Sequence, residues 1–313
     1  MQVVATVVTF NSENVIEACL RGLVSEKIGR IIVVDNASTD KTIALVKKRF
    51  PQVEILRLGH NLGYAGGNNR GIELALKSGP DYVLILNPDV AIFPGAIEKL
   101  IVGAKKYANQ GIFGPKILQA GRKTIWSIGG ELDKKRWTAK LIGYNQIDKT
   151  HRFPGISTSG VSRSDTPEVS GVIHGGTYGC DFISGTCMLI PKQLLETGLR
   201  FYEPYFMYYE DIEFCVRAGK LGFPSYIVPQ SKIIHFETSQ MNSVLSLSGG
   251  ILGKDYYLAR NHLLFVERNA PIKVKLREAL RLPKTIWEHV NAKGDLGRKG
   301  IKDYYLRRFG HIN

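Results

Sequence analysis

The first ninety residues alternate short runs of valine and isoleucine with segments of helical period. This alternation is typical of a parallel sheet whose two faces are covered by helices. It predicts strands at 3–9, 30–35, 53–58 and 82–86, separated by helices at 14–24, 38–49 and 65–78. We therefore expect an α/β protein whose first half is Rossmann-like.

Polar segments follow three of these strands, at 9–11, 35–40 and 87–90. Parallel sheets of this kind bind ligands in the crevice beyond the carboxyl ends of their strands. We expect the three segments to converge there and to form the ligand site.

The remainder of the chain is less regular. Residues 129–180 are rich in glycine, serine and threonine, which predicts loops and short antiparallel strands at an acceptor site or a flap. The pattern then predicts, in order, a strand at 182–190, a helix at 191–197, a helix at 209–219 and a strand at 225–228 that leads to His235. From residue 254 the tail has helical period, with breaks predicted at Pro271 and Pro283.

The composition, with 44% hydrophobic and 22% charged residues, argues against a disordered or fibrous chain. The formal net charge of +14 indicates an anionic partner, for which nucleic acid, a membrane surface and a phosphorylated substrate are the candidates. Residues 254–313 hold 14 Lys and Arg against 6 Asp and Glu. The excess of positive charge is therefore concentrated in the C-terminal fifth.

The four cysteines form no C-x-x-C pair and have mostly apolar neighbours, so we interpret them as reduced core residues. The first ten residues lack the basic segment of a secretory signal, and no run approaches the ~18 apolar residues of a membrane span. We expect a cytoplasmic protein, with peripheral contact at the inner face of a membrane. Leu282, Ile286 and Trp287, interleaved with Lys and Arg, suggest that contact, and a solvated helix face is the alternative.

The segment Asn87-Pro88-Asp89 places a carboxylate at the tip of an apolar strand. A hard divalent cation such as Mg²⁺ or Mn²⁺ suits this position, because it would neutralise charge on a departing diphosphate. The alternative is a plain Asn-Pro-Asp turn. His235 follows Ile233 and Ile234 and is a second candidate ligand, with a structural histidine as its alternative.

Acidic residues open the helix predicted at 209–219, where Glu210, Asp211 and Glu213 precede an apolar face. One carboxylate pointing into the cleft would serve as the base for an acceptor hydroxyl. The alternative is that the acids only favour the helix N-terminus electrostatically. Asp35, at the end of the second strand, is a candidate acceptor for the imide N–H of uracil or thymine, or a turn residue.

Together these segments resemble the inverting family 2 glycosyltransferases with the GT-A fold, in particular rhamnosyltransferase-like members. The resemblance spans roughly residues 3–265. It rests on Val7-Val8-Thr9-Phe10-Asn11, Val33-Val34-Asp35-Asn36-Ala37-Ser38-Thr39-Asp40, Asn61-Leu62-Gly63-Tyr64-Ala65-Gly66-Gly67-Asn68-Asn69, Asn87-Pro88-Asp89, Ser184-Gly185 and Phe206-Met207-Tyr208-Tyr209-Glu210-Asp211-Ile212-Glu213.

The resemblance implies a role for each matching residue. Asp211 is the general base, and Asp89 and His235 ligate a divalent metal, Mg²⁺ or Mn²⁺. Ser184, Gly185 and Glu210 lie on the acceptor side. The implied nucleotide-sugar site consists of Thr9, Asn11, Asp35, Asn36, Gly67, Asn68, Asn87 and Asp89.

The implied fold is a mixed, mostly parallel sheet flanked by helices, with a basic helical C-terminal extension. Residues 1–250 would form the GT-A catalytic domain, with a nucleotide-binding half at 1–90 and an acceptor half at 91–250, and residues 251–313 would form the extension. One position departs from the family, because Asn87 replaces the first acid of the commoner Asp-x-Asp metal motif. We expect the diphosphate to supply more of the metal coordination.

The predicted activity is transfer of a sugar, with rhamnose as a candidate, from a UDP- or dTDP-sugar to a hydroxyl of a glycan or lipid-linked glycan, with inversion. Nucleic acid is not an expected partner. The alternatives are a sugar-phosphate nucleotidyltransferase, which would need a glycine-rich phosphate loop after the first strand, and a non-catalytic module that binds carbohydrate or nucleic acid.

Overall fold

A mixed, mostly parallel sheet forms the centre of the protein. The computed structural model describes residues 1–26, 28–121, 123–148, 176–236 and 252–311. The first half contributes β1 (Val3–Thr9), β2 (Arg30–Asp35), β3 (Glu54–Arg57) and β4 (Tyr82–Leu86). They are all parallel and adjacent in the order β4-β1-β2-β3. The predicted parallel half is thereby confirmed. Its Val-rich strand β1 and its apolar strand β4 are buried throughout because both faces are covered.

Three helices connect these strands, as predicted: α1 (Ile16–Ser25), α2 (Thr42–Arg49) and α3 (Gly63–Leu76). A core cluster lies on each face of the sheet, one including Ile72 of α3 and the other including Leu20 of α1. The predicted start of the second helix at residue 38 is wrong, because Ser38 bonds to the first loop: its Oγ accepts the Asn11 N–H at 2.9 Å. The helix begins at Thr42, whose N–H donates to Asp40 Oδ1 at 2.9 Å.

The second half completes the sheet and adds short helices. In chain order it contains β5 (Val90–Ile92), α4 (Ala96–Lys105), β6 (Ile112–Gln119), β7 (Ile125–Ser127), β8 (Gly130–Asp133), β9 (Thr138–Leu141), β10 (Tyr178–Cys180), β11 (Cys187–Pro191), α5 (Lys192–Glu196), α6 (Glu210–Lys220) and β12 (Ser225–His235). Strand β11 is antiparallel to β4 and β6, and β12 is parallel to β6. This mixed arrangement confirms the predicted sheet type.

Strand β12 is longer than predicted and extends to His235. Its last residues pair antiparallel with β5, so that His235 is opposite Val90, the residue after Asp89. The register shifts between Val228 and Lys232, where β12 departs from regular pairing with β6. The irregularity explains why the apolar pattern predicts only the first four residues of this strand.

Between β7 and β11, residues 130–141 form the antiparallel β8–β9 hairpin, as predicted for short strands in this region. Residues 149–175 of the predicted glycine-rich and serine-rich segment lie outside the described residues. The predicted strand at 182–190 begins later, at Cys187, because residues 184–186 form a turn in which the Cys187 N–H donates to the Ser184 carbonyl at 3.3 Å.

Two C-terminal helices, α7 (Leu252–Asn269) and α8 (Ile272–Tyr305), confirm the helical extension. Pro271 separates them as predicted, whereas the predicted break at Pro283 is wrong. An internal proline costs a helix about 3 kcal/mol, and packing of α8 on α7 offsets this cost. Tyr256 Oη donates to Asp303 Oδ2 at 2.9 Å, and Tyr304 Oη donates to Glu267 Oε2 at 2.8 Å.

The division at residue 250 stays a prediction. In the part of the chain that the structure describes, no helix has both the length and the apolar content to span a membrane. Cys19, Cys187 and Cys215 are buried and Cys180 is partly buried, and all four are free thiols, as predicted.

Candidate active site

The polar segments that follow β1 and β2 meet, as the sequence predicts. Asp35 is fully buried, and its Oδ1 accepts hydrogen bonds from Thr9 Oγ1 at 3.4 Å and from the Ser38 N–H at 3.3 Å. Its Oδ2 lies 3.5 Å from Nε of Arg57, whose side chain is 60% exposed. A buried carboxylate with a solvent-exposed cation beside it is able to exchange that partner for a ligand donor.

Asn11 and Asn36 stand at the same edge but bind loop backbone. Asn11 Oδ1 accepts the Thr39 N–H at 2.8 Å. Asn36 Nδ2 donates to the Gly63 carbonyl at 3.0 Å. Gly63 has φ +72°, and a Cβ there would lie 2.4 Å from the Phe206 carbonyl oxygen, so only glycine fits this contact. The predicted contact of Asn11 and Asn36 with a nucleotide sugar stays a prediction.

Gly67 and Asn68 lie on the buried face of α3. A Cβ at Gly67 would lie 2.7 Å from Val8 Cγ1, so this glycine allows α3 to approach β1 closely. Asn68 is fully buried and donates from Nδ2 to the Tyr64 carbonyl at 3.0 Å. Its Oδ1 has no hydrogen-bond partner among the described residues. A buried amide oxygen without a partner costs free energy, which indicates that a ligand donor completes it.

Asp89 and His235 form a buried pair where β4 and β12 end. Asp89 Oδ2 lies 3.2 Å from His235 Nε2, and both side chains are almost fully buried. Within the described residues, neither carboxylate oxygen and neither imidazole nitrogen makes a hydrogen bond. Trp126 packs edge-on against the imidazole, with ring centroids 4.6 Å apart.

These orphaned atoms fit a divalent cation. Apart from the 3.2 Å contact between Oδ2 and Nε2, these four buried atoms lack partners in the described part of the chain, which is costly in the absence of a ligand. Carboxylate oxygen and neutral imidazole are both ligands for Mn²⁺ or Mg²⁺. No group of three or more His, Cys, Asp or Glu side chains with metal-binding geometry occurs among the described residues. The protein side of such a site would therefore be these two residues, leaving positions for phosphate oxygens.

Asn87 connects this pair to the acceptor side through its backbone. Its N–H donates to the Thr186 carbonyl at 3.0 Å, which ties the Asp89 loop to the turn at 184–186. Ser184 Oγ and Thr186 Oγ1 lie 3.0 Å apart and stabilise that turn. The Asn87 side chain is partly exposed, consistent with its predicted place beside a donor.

The same turn holds Asp211. The Gly185 N–H donates to Asp211 Oδ2 at 2.8 Å, and the Ile212 N–H donates to Oδ1 at 2.8 Å. A Cβ at Gly185 would lie 2.6 Å from Tyr64 Oη, whose hydroxyl donates to the Gly185 carbonyl. One turn therefore contacts both Asn87, two residues before Asp89, and Asp211.

The two acids that begin α6 have perturbed protonation. Burial and the Asp211 carboxylate raise the pKa of Glu210 well above its ordinary value, and Glu210 Oε2 has no hydrogen-bond partner among the described residues. Burial also raises the pKa of Asp211, against the hydrogen bonds from the Gly185 and Ile212 N–H groups that lower it. A carboxylate with a raised pKa is a stronger base, which suits proton abstraction from a hydroxyl.

The sequence interpretation missed two residues that hold the loop before Asp211. Phe206, Tyr208 and Tyr209 have φ angles of +65°, +65° and +74°, a backbone conformation that residues other than glycine rarely adopt. Fully buried Asn261 of α7 places Nδ2 2.9, 2.8 and 2.9 Å from the carbonyls of Tyr205, Met207 and Tyr208. The loop conformation that positions Asp211 is therefore held from the C-terminal helix.

Arg260, the neighbour of Asn261, is also fully buried. Its Nη2 donates to the Tyr205 carbonyl at 2.9 Å and its Nη1 to the Gly310 carbonyl at 2.8 Å. The available sequence signal is a pair of polar residues on the apolar face of a helix, since Leu264 and Phe265, one turn further on, are core residues.

Comparison with known proteins gives a consistent result. Residues 5–163 match the model of glycosyl transferase family 2. The N-acetylglucosaminyl-diphospho-decaprenol L-rhamnosyltransferase of Mycobacterium tuberculosis is 31% identical over 222 residues, 68% of each chain. The dTDP-rhamnosyl transferase RfbF of Shigella flexneri is 25% identical over 88% of this chain and 84% of its own.

A mannosyltransferase from Pyrobaculum calidifontis, solved with GDP-Man and Mn²⁺, has a similar structure with a TM-score of 0.53. It is 15% identical, and the match covers 97% of this chain and 73% of that one. This likeness supports the GT-A fold that the sequence predicts.

Proposed function

The chain belongs to glycosyl transferase family 2, and we propose that it transfers a sugar from a UDP- or dTDP-sugar to an acceptor hydroxyl with inversion at the anomeric carbon. Rhamnose is the proposed sugar, because two relatives of this chain are named as rhamnosyltransferases. The family match favours this activity over a nucleotidyltransferase or a non-catalytic module.

The observation that supports the proposal most strongly is that the turn at 184–186 contacts both the Asn87–Asp89 segment and Asp211. Asp89 lies between β4 and β5, and the N–H of Asn87, two residues earlier, donates to the Thr186 carbonyl of the turn. Asp211 accepts the Gly185 N–H of the same turn. A single displacement needs a leaving-group site and a base on opposite faces of the reacting carbon. The acceptor oxygen bonds to the anomeric carbon, its proton passes to Asp211, and the bond to the diphosphate breaks.

Asp89 and His235 are the proposed metal ligands, with Mg²⁺ or Mn²⁺ as the ion. The bound cation would neutralise negative charge on the leaving nucleoside diphosphate. This assignment is supported by the four buried donor atoms that lack hydrogen bonds in the described chain. Because Asn87 replaces an acid, we propose that the diphosphate contributes more of the coordination than in relatives with two acids.

Asp35 is the proposed acceptor for the imide N–H of the base, which uracil and thymine share. Its burial and its position at the end of β2 support this role. Asn68, with its partnerless Oδ1, is the proposed contact for the donor sugar or phosphate. The proposed acceptor is a glycan carried on a lipid diphosphate, the class that the mycobacterial relative's name describes.

A donor panel tests the proposal. We would incubate the full chain with UDP- and dTDP-sugars, Mn²⁺ and a lipid diphosphate-linked N-acetylglucosamine, and analyse the anomeric configuration of the product by NMR. We expect one nucleotide sugar to give product of inverted configuration, with release of the nucleoside diphosphate. Transfer with retention, or formation of a nucleotide sugar from a sugar phosphate instead, would overturn the proposal.

A further inference from the structure

Helix α8 presents an exposed aliphatic row. Ile272, Leu276 and Leu280 follow one another at four-residue spacing, so they lie on one side of the helix, and they are 67%, 60% and 85% exposed. Val274 of the same helix is buried in the main core, which places the row on the side that faces away from the protein. Consecutive aliphatic side chains this exposed indicate a surface that a partner covers.

Basic residues from two distant parts of the chain border the row. Lys273 and Arg277 are exposed on α8 itself, and Lys135 and Arg136 are exposed in the β8–β9 turn. The two elements touch, because Arg277 Nη1 donates to the Lys135 carbonyl at 3.1 Å. Lys135, Arg136, Lys273 and Arg277 have no carboxylate within ion-pair distance among the described residues, whereas Lys134 pairs with Asp181 at 2.9 Å.

We propose that this surface docks the protein on an anionic membrane. The docking face consists of the aliphatic row, Ile272, Leu276 and Leu280, and the basic rim, Lys135, Arg136, Lys273 and Arg277. An interfacial helix inserts its apolar side among acyl chains while the cations beside it meet lipid phosphates. A nucleic acid would use the cations but would leave three aliphatic side chains in water, so the row favours lipid.

The β8–β9 hairpin connects the docking face to the segment that precedes the acceptor-side turn at 184–186. The β8–β9 hairpin is joined to the segment before the 184–186 turn, since the Gly130 N–H donates to the Phe182 carbonyl at 2.9 Å. Trp137, beside the basic turn, packs on Phe265 of α7 with ring centroids 5.4 Å apart. The functional interpretation of this docking rests on the proposed lipid-linked acceptor. Docking through this face would bring the acceptor side of the protein to the membrane surface where such a lipid resides.

Liposome flotation of the full chain tests the docking face. The probes are vesicles of phosphatidylcholine alone and of phosphatidylcholine with phosphatidylglycerol. We expect flotation with the anionic vesicles only, and a fall of about tenfold or more in the bound fraction for Leu276→Ser/Leu280→Ser and for Lys135→Glu/Arg136→Glu, since each basic residue near the surface contributes measurably to binding.

Matched controls separate the docking face from general effects. Val102→Ser removes an exposed aliphatic side chain on α4, and Lys47→Glu/Lys48→Glu reverses two exposed charges on α2; both are expected to float like the parent protein. Equal flotation of parent and docking-face variants, or equal losses in the controls, would overturn the proposal. Loss of RNA binding by the same variants, without flotation of the parent, would assign the surface to nucleic acid instead.

The proposed activity is measured separately with a water-soluble acceptor. We expect the docking-face variants to keep their transfer rate on that acceptor. Flotation without any sugar transfer would support the docking face and contradict the proposed function, whereas transfer without flotation would do the reverse.

Discussion

Asn261 holds a strained loop, and its removal should impair catalysis more than stability alone explains. The three residues with positive φ before α6 each cost about 1–3 kcal/mol, and the Asn261 amide stabilises this conformation by donating to the carbonyls around them. In Asn261→Ala the amide's two protons are lost. The Tyr205 carbonyl keeps its bond from Arg260, whereas the partly buried Met207 and Tyr208 carbonyls lose the Asn261 donor at about 1–3 kcal/mol each. We expect the free energy of unfolding to fall by about 2–4 kcal/mol.

The activity should fall further because Asp211 lies two residues beyond the loop. A misplacement of about 1 Å near the chemistry can cost about 10²-fold. We expect kcat to decrease about 10-fold to 100-fold. Nucleoside diphosphate binding, measured by thermal shift with Mn²⁺, is expected to stay within about twofold, because the proposed metal ligands Asp89 and His235 lie outside the 206–209 loop.

Asn269→Ala on the same helix is the matched control. Asn269 is buried, and its Nδ2 donates to the Phe265 carbonyl at 3.2 Å within α7. We expect a loss of about 1 kcal/mol in stability with kcat unchanged. An Asn261→Ala enzyme that is destabilised but keeps kcat within twofold of the parent would refute the positioning role.

Three further predictions follow from the site. Asp211→Asn should lower kcat by about 10²-fold or more. In the parent, kcat/KM should fall on acidification with a pKa above the ordinary aspartate value, because burial raises the pKa of Asp211. Survival of activity in the variant, or a kcat/KM profile that falls only at the ordinary aspartate pKa, would contradict the base assignment. Glu210→Gln should raise the melting temperature relative to the parent, and this difference should grow as pH rises. Because the pKa of Glu210 is raised in the native state, the native parent keeps a proton that the unfolded chain loses. The parent's stability therefore decreases as pH rises from the ordinary glutamate pKa to the raised native pKa. A pH-independent difference would count against a buried Glu210. Asp89→Asn and His235→Ala should each abolish the thermal shift that Mn²⁺ with nucleoside diphosphate produces in the parent, and an unchanged shift in either would remove that residue from the metal site.

The sequence is most informative where burial is simplest. Strands β1, β2 and β4 have the predicted bounds because central parallel strands, covered on both faces, require continuous apolar runs. The predicted start of α2 was wrong because Ser38 has two possible partners, its own helix and the Asn11 backbone. Local helix propensity does not decide between them. Continuation of α8 through Pro283 likewise depends on packing that a helix-breaking rule ignores.

The candidate site divides in the same way. Asp35, Asp89 and Asp211 can be proposed from the sequence because Asp35 ends β2, Asp89 follows β4 and Asp211 lies in the first turn of α6. Asn261 and Arg260 were missed because the loop they hold is some fifty residues away in the chain, and no local pattern encodes a pairing at that separation. Polar residues on an otherwise apolar helix face are the general sign of such long-range bonds.

The turn at 184–186 receives the Asn87 N–H on one flank and presents the Gly185 N–H to Asp211 on the other. In the proposed mechanism, one short piece of backbone would therefore fix the distance between the proton acceptor and the departing phosphates. Surrounding loops could then change to accept other sugars or acceptors without altering this distance. Insertion of a single residue into this turn, by contrast, should lower the transfer rate with every substrate by a similar factor.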